Sequence, residues 1–335
     1  MPESSRPFPK RREFLVALAG LASARNLLAQ PSTDKIGKTL PTRKLGRLDQ
    51  RITQFTLGGF HAWKAPAHQQ EALIDRAIEL GVRTFDNARD YGDGASEKLY
   101  GKYLTPRYRD YIYLTSKSSQ KTGKAVREQL ENSLRWMKTD HLDLWNIHAI
   151  TTIQDVDERI NAGVLDAFLK ARDEGKVRHL GFTGHSSYKT HLHFLKRLHE
   201  LGIELDTCLM PMSLVDPHYD SFITHVLPEL KKRDYGVFAM KTMGFGSFFG
   251  NGPQEQQLRE LNLSLTNSGI SVEDMHHFVY SLPITSLCSG CESISQLEEN
   301  VKALTSFKSL NQTAQETLLT KTESLYHRAL EHYKS

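Results

Sequence analysis

Cysteine is scarce: Cys208, Cys288 and Cys291 are the three in 335 residues, too few for a disulfide-stapled scaffold and with no second pair to complete a zinc site. No metal is expected, and stability must come from packing. Charge of one sign is also lacking. With 43 Lys and Arg against 39 Asp and Glu the net charge is only +4, and no long basic block stands in the main body, which argues against nucleic acid as a partner. Nor is there an apolar run of the roughly 20 residues that a membrane-spanning helix needs. The stretch Leu15 to Ala24 is short, rich in Ala and Gly, and followed by no cysteine, so no stable membrane anchor is expected.

What is present suits a packed globular chain: 39% hydrophobic and 24% charged residues. The N-terminus differs in kind. Lys10-Arg11-Arg12-Glu13-Phe14-Leu15 sets paired arginines before the weakly apolar run, which ends in the small residues Ala22-Ser23-Ala24. Residues 1–30 are read as a twin-arginine signal peptide, cleaved near Ala24 or Ala29, with the export machinery as partner and the periplasm as destination. A frayed basic helix on a cytoplasmic protein is the plainer alternative. Residues 31–40 read as a polar linker and 41–335 as the folded body.

That body repeats a pattern: an apolar-periodic helix, a glycine able to end it, then a short buried strand. Leu73, Ile74, Ala77 and Ile78 share a helical face before Gly81 and Val82 to Asp86; Gly175, Gly202 and Gly236 precede Val177 to Phe182, Ile203 to Met210 and Val237 to Met240. Phe55 to Leu57, Tyr111 to Thr115, Leu142 to Ile147 and Ile284 to Cys288 complete eight strands. Alternating strands and helices imply a parallel sheet. Leu57-Gly58-Gly59-Phe60 lacks the third glycine of a dinucleotide fingerprint, which favours a single-domain α/β fold of the (β/α)8 TIM-barrel type over an open doubly wound sheet.

Barrel active sites form at the C-terminal strand ends. Asp86 ends the second strand, Tyr91 follows in its loop, Lys117 ends the third and His148 the fourth. Carbonyl reduction by hydride leaves an alkoxide that needs a proton, and a tyrosine gives one near neutral pH when a cation stabilises its anion. Lys117 is that cation, Asp86 its anchor, and His148 a donor to the substrate oxygen.

These segments resemble the aldo-keto reductase superfamily, from Arg43 onwards. Phe85-Asp86-Asn87-Ala88-Arg89-Asp90-Tyr91-Gly92 is similar to its Asp-to-Tyr signature, and Ala95 to Gly101 to the helix start that follows; Thr115-Ser116-Lys117 and Asp143 to His148 are similar to its lysine and histidine motifs. The resemblance implies NADPH or NADH bound without a Rossmann fold, and an aldehyde or ketone as substrate. It implies adenosine contacts from Ser293, Gln296 and Asn300 on the stretch beginning at Gly290, although Ser293 and Gln296 also have helix-capping spacing. Glu292 stands where NADPH-preferring relatives often carry arginine, which leans the expectation toward NADH. Gly59, Thr183 and His185 are expected near the nicotinamide end, and Met240-Lys241-Thr242 with the Gly/Phe-rich loop through Gly252 around the diphosphate, or as a plain surface loop. Two departures stand out: Thr183-Gly184-His185 replaces Ser-Asn after the fifth strand, and Leu209 replaces a glutamine on the sixth.

Phe60 and Trp63 are expected in the substrate pocket or in the core, and Cys288 and Cys291 as packing residues or a local disulfide. Two other functions compete: a cofactor-binding regulatory barrel with little turnover, for which Leu209 speaks, and a Schiff-base lyase using Lys117, which Asp86 disfavours by keeping the lysine charged.

Overall fold

The computed structural model describes residues 32–334, and the expected signal peptide lies outside the described residues. Eight strands close a barrel: β1 (Phe55–Gly58), β2 (Thr84–Asp86), β3 (Tyr113–Ser118), β4 (Leu142–Ile147), β5 (Val177–Thr183), β6 (Thr207–Pro211), β7 (Gly236–Met240) and β8 (Ser286–Gly290). Every neighbouring pair is parallel, and β8 returns to β1 in the register Leu287 to Phe55 through Gly290 to Gly58. Between them run α1 (Gln70–Glu79), α2 (Ala95–Tyr103), α3 (Gly123–Trp136), α4 (Val164–Asp173), α5 (Tyr188–Glu200), α6 (Leu227–Lys232) and α7 (Val272–Tyr280), with α8 (Ile294–Thr305) and α9 (Gln312–Glu323) after β8.

Alternation along each strand builds two cores. In β4, Trp145 points outward and stacks on Phe168 of α4 at 3.7 Å between ring centroids, while Leu144 points inward with Tyr113, Leu209 and Phe238. Leu45 and Ile52 join that inner cluster from the hairpin Thr42–Lys44 with Arg51–Thr53, which plugs the barrel floor. Truncating such a buried aromatic costs about 3–5 kcal/mol.

Three expectations shift. The segment read as a linker is, from Ser32 to Thr39, an antiparallel hairpin tied to the barrel by Asp34 and the Arg83 guanidinium at 2.7 Å. Strands β3 and β8 run about two residues further along the chain than their apolar runs indicate, which puts Lys117 inside β3 rather than at its end. After α6 the left-handed turn is made by Asp234 (φ 51) and not by Gly236, since aspartate tolerates that conformation. Gly236 is required for space instead: a Cβ there would lie 2.4 Å from Leu45 Cδ1.

Candidate active site

The four expected catalytic residues converge at the C-terminal mouth of the barrel. Lys117, 1% exposed, donates from Nζ to Asp86 Oδ2 at 2.6 Å, to the Asn87 carbonyl oxygen at 2.6 Å and to the Tyr91 hydroxyl at 3.2 Å. Thr115 Oγ1, two residues earlier on the same face of β3, donates to the other Asp86 oxygen at 2.8 Å. Asp86 is thus held from both sides and aims the lysine at the phenol. The Asn87 carbonyl was not legible as a site group, because a backbone acceptor leaves no mark in a sequence, and Thr115 was read as part of the lysine motif without a partner of its own.

Electrostatics follow from this packing. Burial disfavours the Lys117 ammonium, but Asp86, with Tyr91 and Cys288 adding to it, holds the lysine above its ordinary range. Burial raises the Tyr91 phenol to about 12 against the opposing pull of Lys117, so it is a protonated donor at neutral pH. Burial lowers His148, with Lys117 adding to the effect and Asp90 resisting it. The Tyr91 and His148 rings meet edge-on, with centroids 5.8 Å apart.

The loops around the group are braced. Gly92 (φ 60) lies flat on the Trp63 indole, where a Cβ would come within 2.6 Å of Trp63 Cε2. Trp63 therefore supports the Tyr91 loop from beneath, whereas Phe60 stands edge-on to Tyr91 at 5.2 Å and 5.3 Å from Phe245, forming the aromatic rim of the mouth. Thr183 staples the His148 loop to β5: its hydroxyl accepts from the Ala149 amide at 3.0 Å and its carbonyl from Ile150. Gly59 is needed for close approach, since a Cβ would meet Ser96 Oγ at 2.5 Å and the Asp86 carbonyl at 2.8 Å.

Eight parallel strands, a buried Asp-Lys pair and a tyrosine within reach of the lysine are thereby on one rim, and the aldo/keto reductase family model matches residues 54–323. The chain belongs to the aldo/keto reductase family. It is an NAD(P)H-dependent oxidoreductase of the carbonyl-reducing kind. It is 28% identical over 278 residues to an L-galactose dehydrogenase of Arabidopsis thaliana, covering 74% of this chain and 81% of that one. An L-glyceraldehyde 3-phosphate reductase of Escherichia coli O157:H7 is 24% identical over 308 residues, covering 78% and 87%. In fold it is similar to the holo form of an aldo-keto reductase from Bacillus halodurans, with a TM-score of 0.69 at 18% identity over 87% of this chain and 99% of that one.

The rim suits the cofactor of this reductase family. Past β7, Lys241 makes no ion pair among the described residues; burial pushes its ammonium down to about 8, and its Nζ lies 4.6 Å from the Phe245 ring and 4.9 Å from the Tyr333 ring. Two imidazoles that feel its charge are lowered to about 4, His61 by burial, then Lys64 and Lys241, and His185 by burial and then Lys241, so neither competes with it as a cation. Thr242 Oγ1, Ser247 Oγ and His185 Nδ1 are buried with no hydrogen-bond partner among the described residues. A lone cation beside orphaned donors is the set a diphosphate uses. Met240 ends β7 half-buried against the inner cluster.

Where the adenosine is expected, Ser293 caps α8 by accepting from the Gln296 amide at 3.3 Å, and Gln296 Oε1 accepts from the Glu292 amide at 2.8 Å. Asn300 is buried and donates to Cys291 Sγ at 3.2 Å, so its amide is turned inward. Gly290 is glycine because His61 covers it: a Cβ would lie 2.1 Å from His61 Nδ1. Cys288 and Cys291 are free thiols. Cys288 also faces Asp86, a contact foreshadowed only by its place on the last strand.

The C-terminal tail was not expected at the mouth at all. Lys334 Nζ lies 2.8 Å from both Asp216 Oδ1 and Glu331 Oε2, all three side chains being 1% exposed or less. This buried cluster carries Tyr333 to within 6.2 Å of His185.

Proposed function

We propose that this chain reduces an aldehyde or ketone to the alcohol, with Tyr91 as proton donor, and prefers NADH. The bound dinucleotide supplies the hydride. Tyr91 gives its hydroxyl proton to the carbonyl oxygen as charge builds there, Lys117 stabilises the phenolate left behind, and Asp86 with the Asn87 carbonyl keeps the ammonium aimed. The carrying observation is the Lys117 ammonium bridging Asp86 Oδ2 at 2.6 Å and the Tyr91 hydroxyl at 3.2 Å. Lys117 itself is no Schiff-base nucleophile while that carboxylate keeps it charged.

The preference for NADH rests on Glu292, whose carboxylate opposes a 2′-phosphate and accepts from a ribose hydroxyl. Export rests on the arginine pair Arg11-Arg12 ahead of the short apolar run; cleavage at Ala24 or Ala29 leaves the Ser32–Asp34 strand and everything after it intact.

The test is titration of the mature protein with NADH and NADPH, then turnover on a panel of aldoses, glyceraldehyde and simple ketones beside Tyr91→Phe. Turnover lost in Tyr91→Phe supports the reading. Tight dinucleotide binding without turnover would return it to a regulatory barrel. Cell fractionation with N-terminal sequencing tests export, and a full-length cytoplasmic protein would refute it.

A further inference from the structure

His148 Nδ1 lies 3.1 Å from Asp90 Oδ2, an acid immediately before the proton donor in sequence and 58 positions from the histidine. A carboxylate only accepts, so the hydrogen of that contact belongs to Nδ1. A neutral imidazole has one N–H; with it on Nδ1, Nε2 carries a lone pair and no hydrogen. Only the imidazolium has a hydrogen on both nitrogens. The simple picture of a neutral histidine donating to a carbonyl oxygen therefore conflicts with Asp90.

We infer that Asp90 is a positioning residue that holds His148 in the Nδ1–H tautomer, so that Nε2 donates to a carbonyl oxygen only as the imidazolium and, when neutral, accepts from an alcohol hydroxyl. This rests on the reductase reading for its use, though not for its geometry.

The surroundings restrict the alternatives. The His148 side chain is 16% exposed and Asp90 is 41% exposed, so the imidazole is enclosed while its carboxylate partner reaches solvent and exchanges protons with it. From the β2 loop Asp86, Asp90 and Tyr91 face the ring, from β3 Lys117, and from beyond β5 His185. Arg159 is turned to the His148 carbonyl oxygen at 3.1 Å and to Asp155. Asp90 is held as a carboxylate by His148 first, then by a hydrogen bond from Ser119 and by the charge of Arg89, whose ion pair is with Asp93 at 2.8 Å. The Ala149 amide, bound to Thr183 Oγ1, fixes the backbone beside the ring, leaving Asp90 to set its tautomer.

Oxidation and reduction then draw on different protonation states of one ring. Reductive kcat/KM declines as pH rises through the His148 titration, and oxidative kcat/KM rises over the same interval. Asp90→Asn removes the charge, so the decline moves to lower pH, and its amide, which can donate as well as accept, no longer fixes the tautomer. Asp90→Leu removes the acceptor and frees the neutral ring to carry its hydrogen on Nε2, so the decline flattens, with little change in Tm because the Asp90 side chain itself is 41% exposed.

A readout without turnover or dinucleotide is long-range 1H–15N NMR of the full chain, with His148 assigned by difference against His148→Gln. The Nδ1–H pattern is expected in the wild type and the Nε2–H pattern in Asp90→Leu. An Nε2–H pattern in the wild type, or an Asp90→Leu protein indistinguishable from it in tautomer and pH profile, overturns the inference. A wild type that shows the Nδ1–H pattern, lost in Asp90→Leu, yet reduces no carbonyl upholds the tautomer assignment and sinks the reductase reading.

Discussion

The Lys117 ammonium stands 3.2 Å from the Tyr91 hydroxyl, and nothing but a cation there lets a buried phenol give up its proton at useful cost. Tyr91→Phe removes one oxygen and leaves the packing. Its kcat is expected to fall about 10²- to 10⁴-fold with dinucleotide affinity retained. Single-turnover kinetics beside a fluorescence titration decide this; a Phe variant within threefold of the wild type on every substrate would refute the assignment.

The same pair sets the pH dependence of the reverse reaction. Alcohol oxidation uses the phenolate, and with Tyr91 raised to about 12 the phenolate fraction grows throughout the alkaline range. In stability the sign is that of a raised pKa: the contribution is whole below the ordinary value of 10.0 and is lost as pH climbs through about 12. Oxidative kcat should therefore still be climbing at pH 10, and a plateau from pH 8 upward would contradict it.

The buried tail cluster predicts both a stability loss and a pH trend. Lys334→Met leaves the Asp216 and Glu331 carboxylates together without their cation, at a cost of about 3–5 kcal/mol. Burial, opposed by Lys334 and reinforced by Asp216, raises Glu331 to about 7. Its contribution is thus complete below its ordinary 4.5 and lost as pH rises through about 7. Glu331→Gln, which mimics the protonated acid, should gain on the wild type across that interval. Thermal denaturation from pH 4 to pH 8 checks it, and a constant gap in Tm would rule it out.

Gly92→Ala is expected to be destabilising and slow together. Its φ of 60 costs an L-residue about 1–2 kcal/mol. A Cβ 2.6 Å from Trp63 Cε2 forces overpacking worth about 1–3 kcal/mol more, and the strained loop carries Tyr91. In a Trp63→Ala background the second cost should vanish, which a double-mutant cycle measures; purely additive effects would show that the indole is not the obstacle.

Glu292→Arg should shift the ratio of affinities toward NADPH by about tenfold, ~1.4 kcal/mol, by exchanging repulsion of a 2′-phosphate for attraction. Paired titrations with the two dinucleotides test it. An unchanged ratio would mean that Glu292 lies away from the ribose.

Much of the barrel was legible because helix and strand periodicities are local: the helical face of Leu73, Ile74, Ala77 and Ile78 is buried as the spacing requires. Strand ends were less legible. The apolar runs at 111–115 and 284–288 show where a chain turns inward, whereas the extent of Tyr113–Ser118 and Ser286–Gly290 depends on neighbours in the parallel ladder. Asp86, Tyr91, Lys117 and His148 were readable as a group since all four lie at or just past the C-terminal ends of three consecutive strands. Asp90 stood within the Asp86 to Tyr91 signature with no role of its own, and Tyr333 and Lys334 were not singled out at all, because their partners are far away in sequence.

The order of βα units and the chemical type of the site were thus determined by the sequence alone, for both are written in residues a few positions apart. Tertiary structure decided the rest: that Lys117 touches Tyr91, that Asp90 dictates which nitrogen of His148 holds a hydrogen, and that a buried Asp216-Lys334-Glu331 cluster draws the tail to the mouth. Each is a contact between distant parts of the chain, and closing the barrel is what brings those parts within hydrogen-bond range.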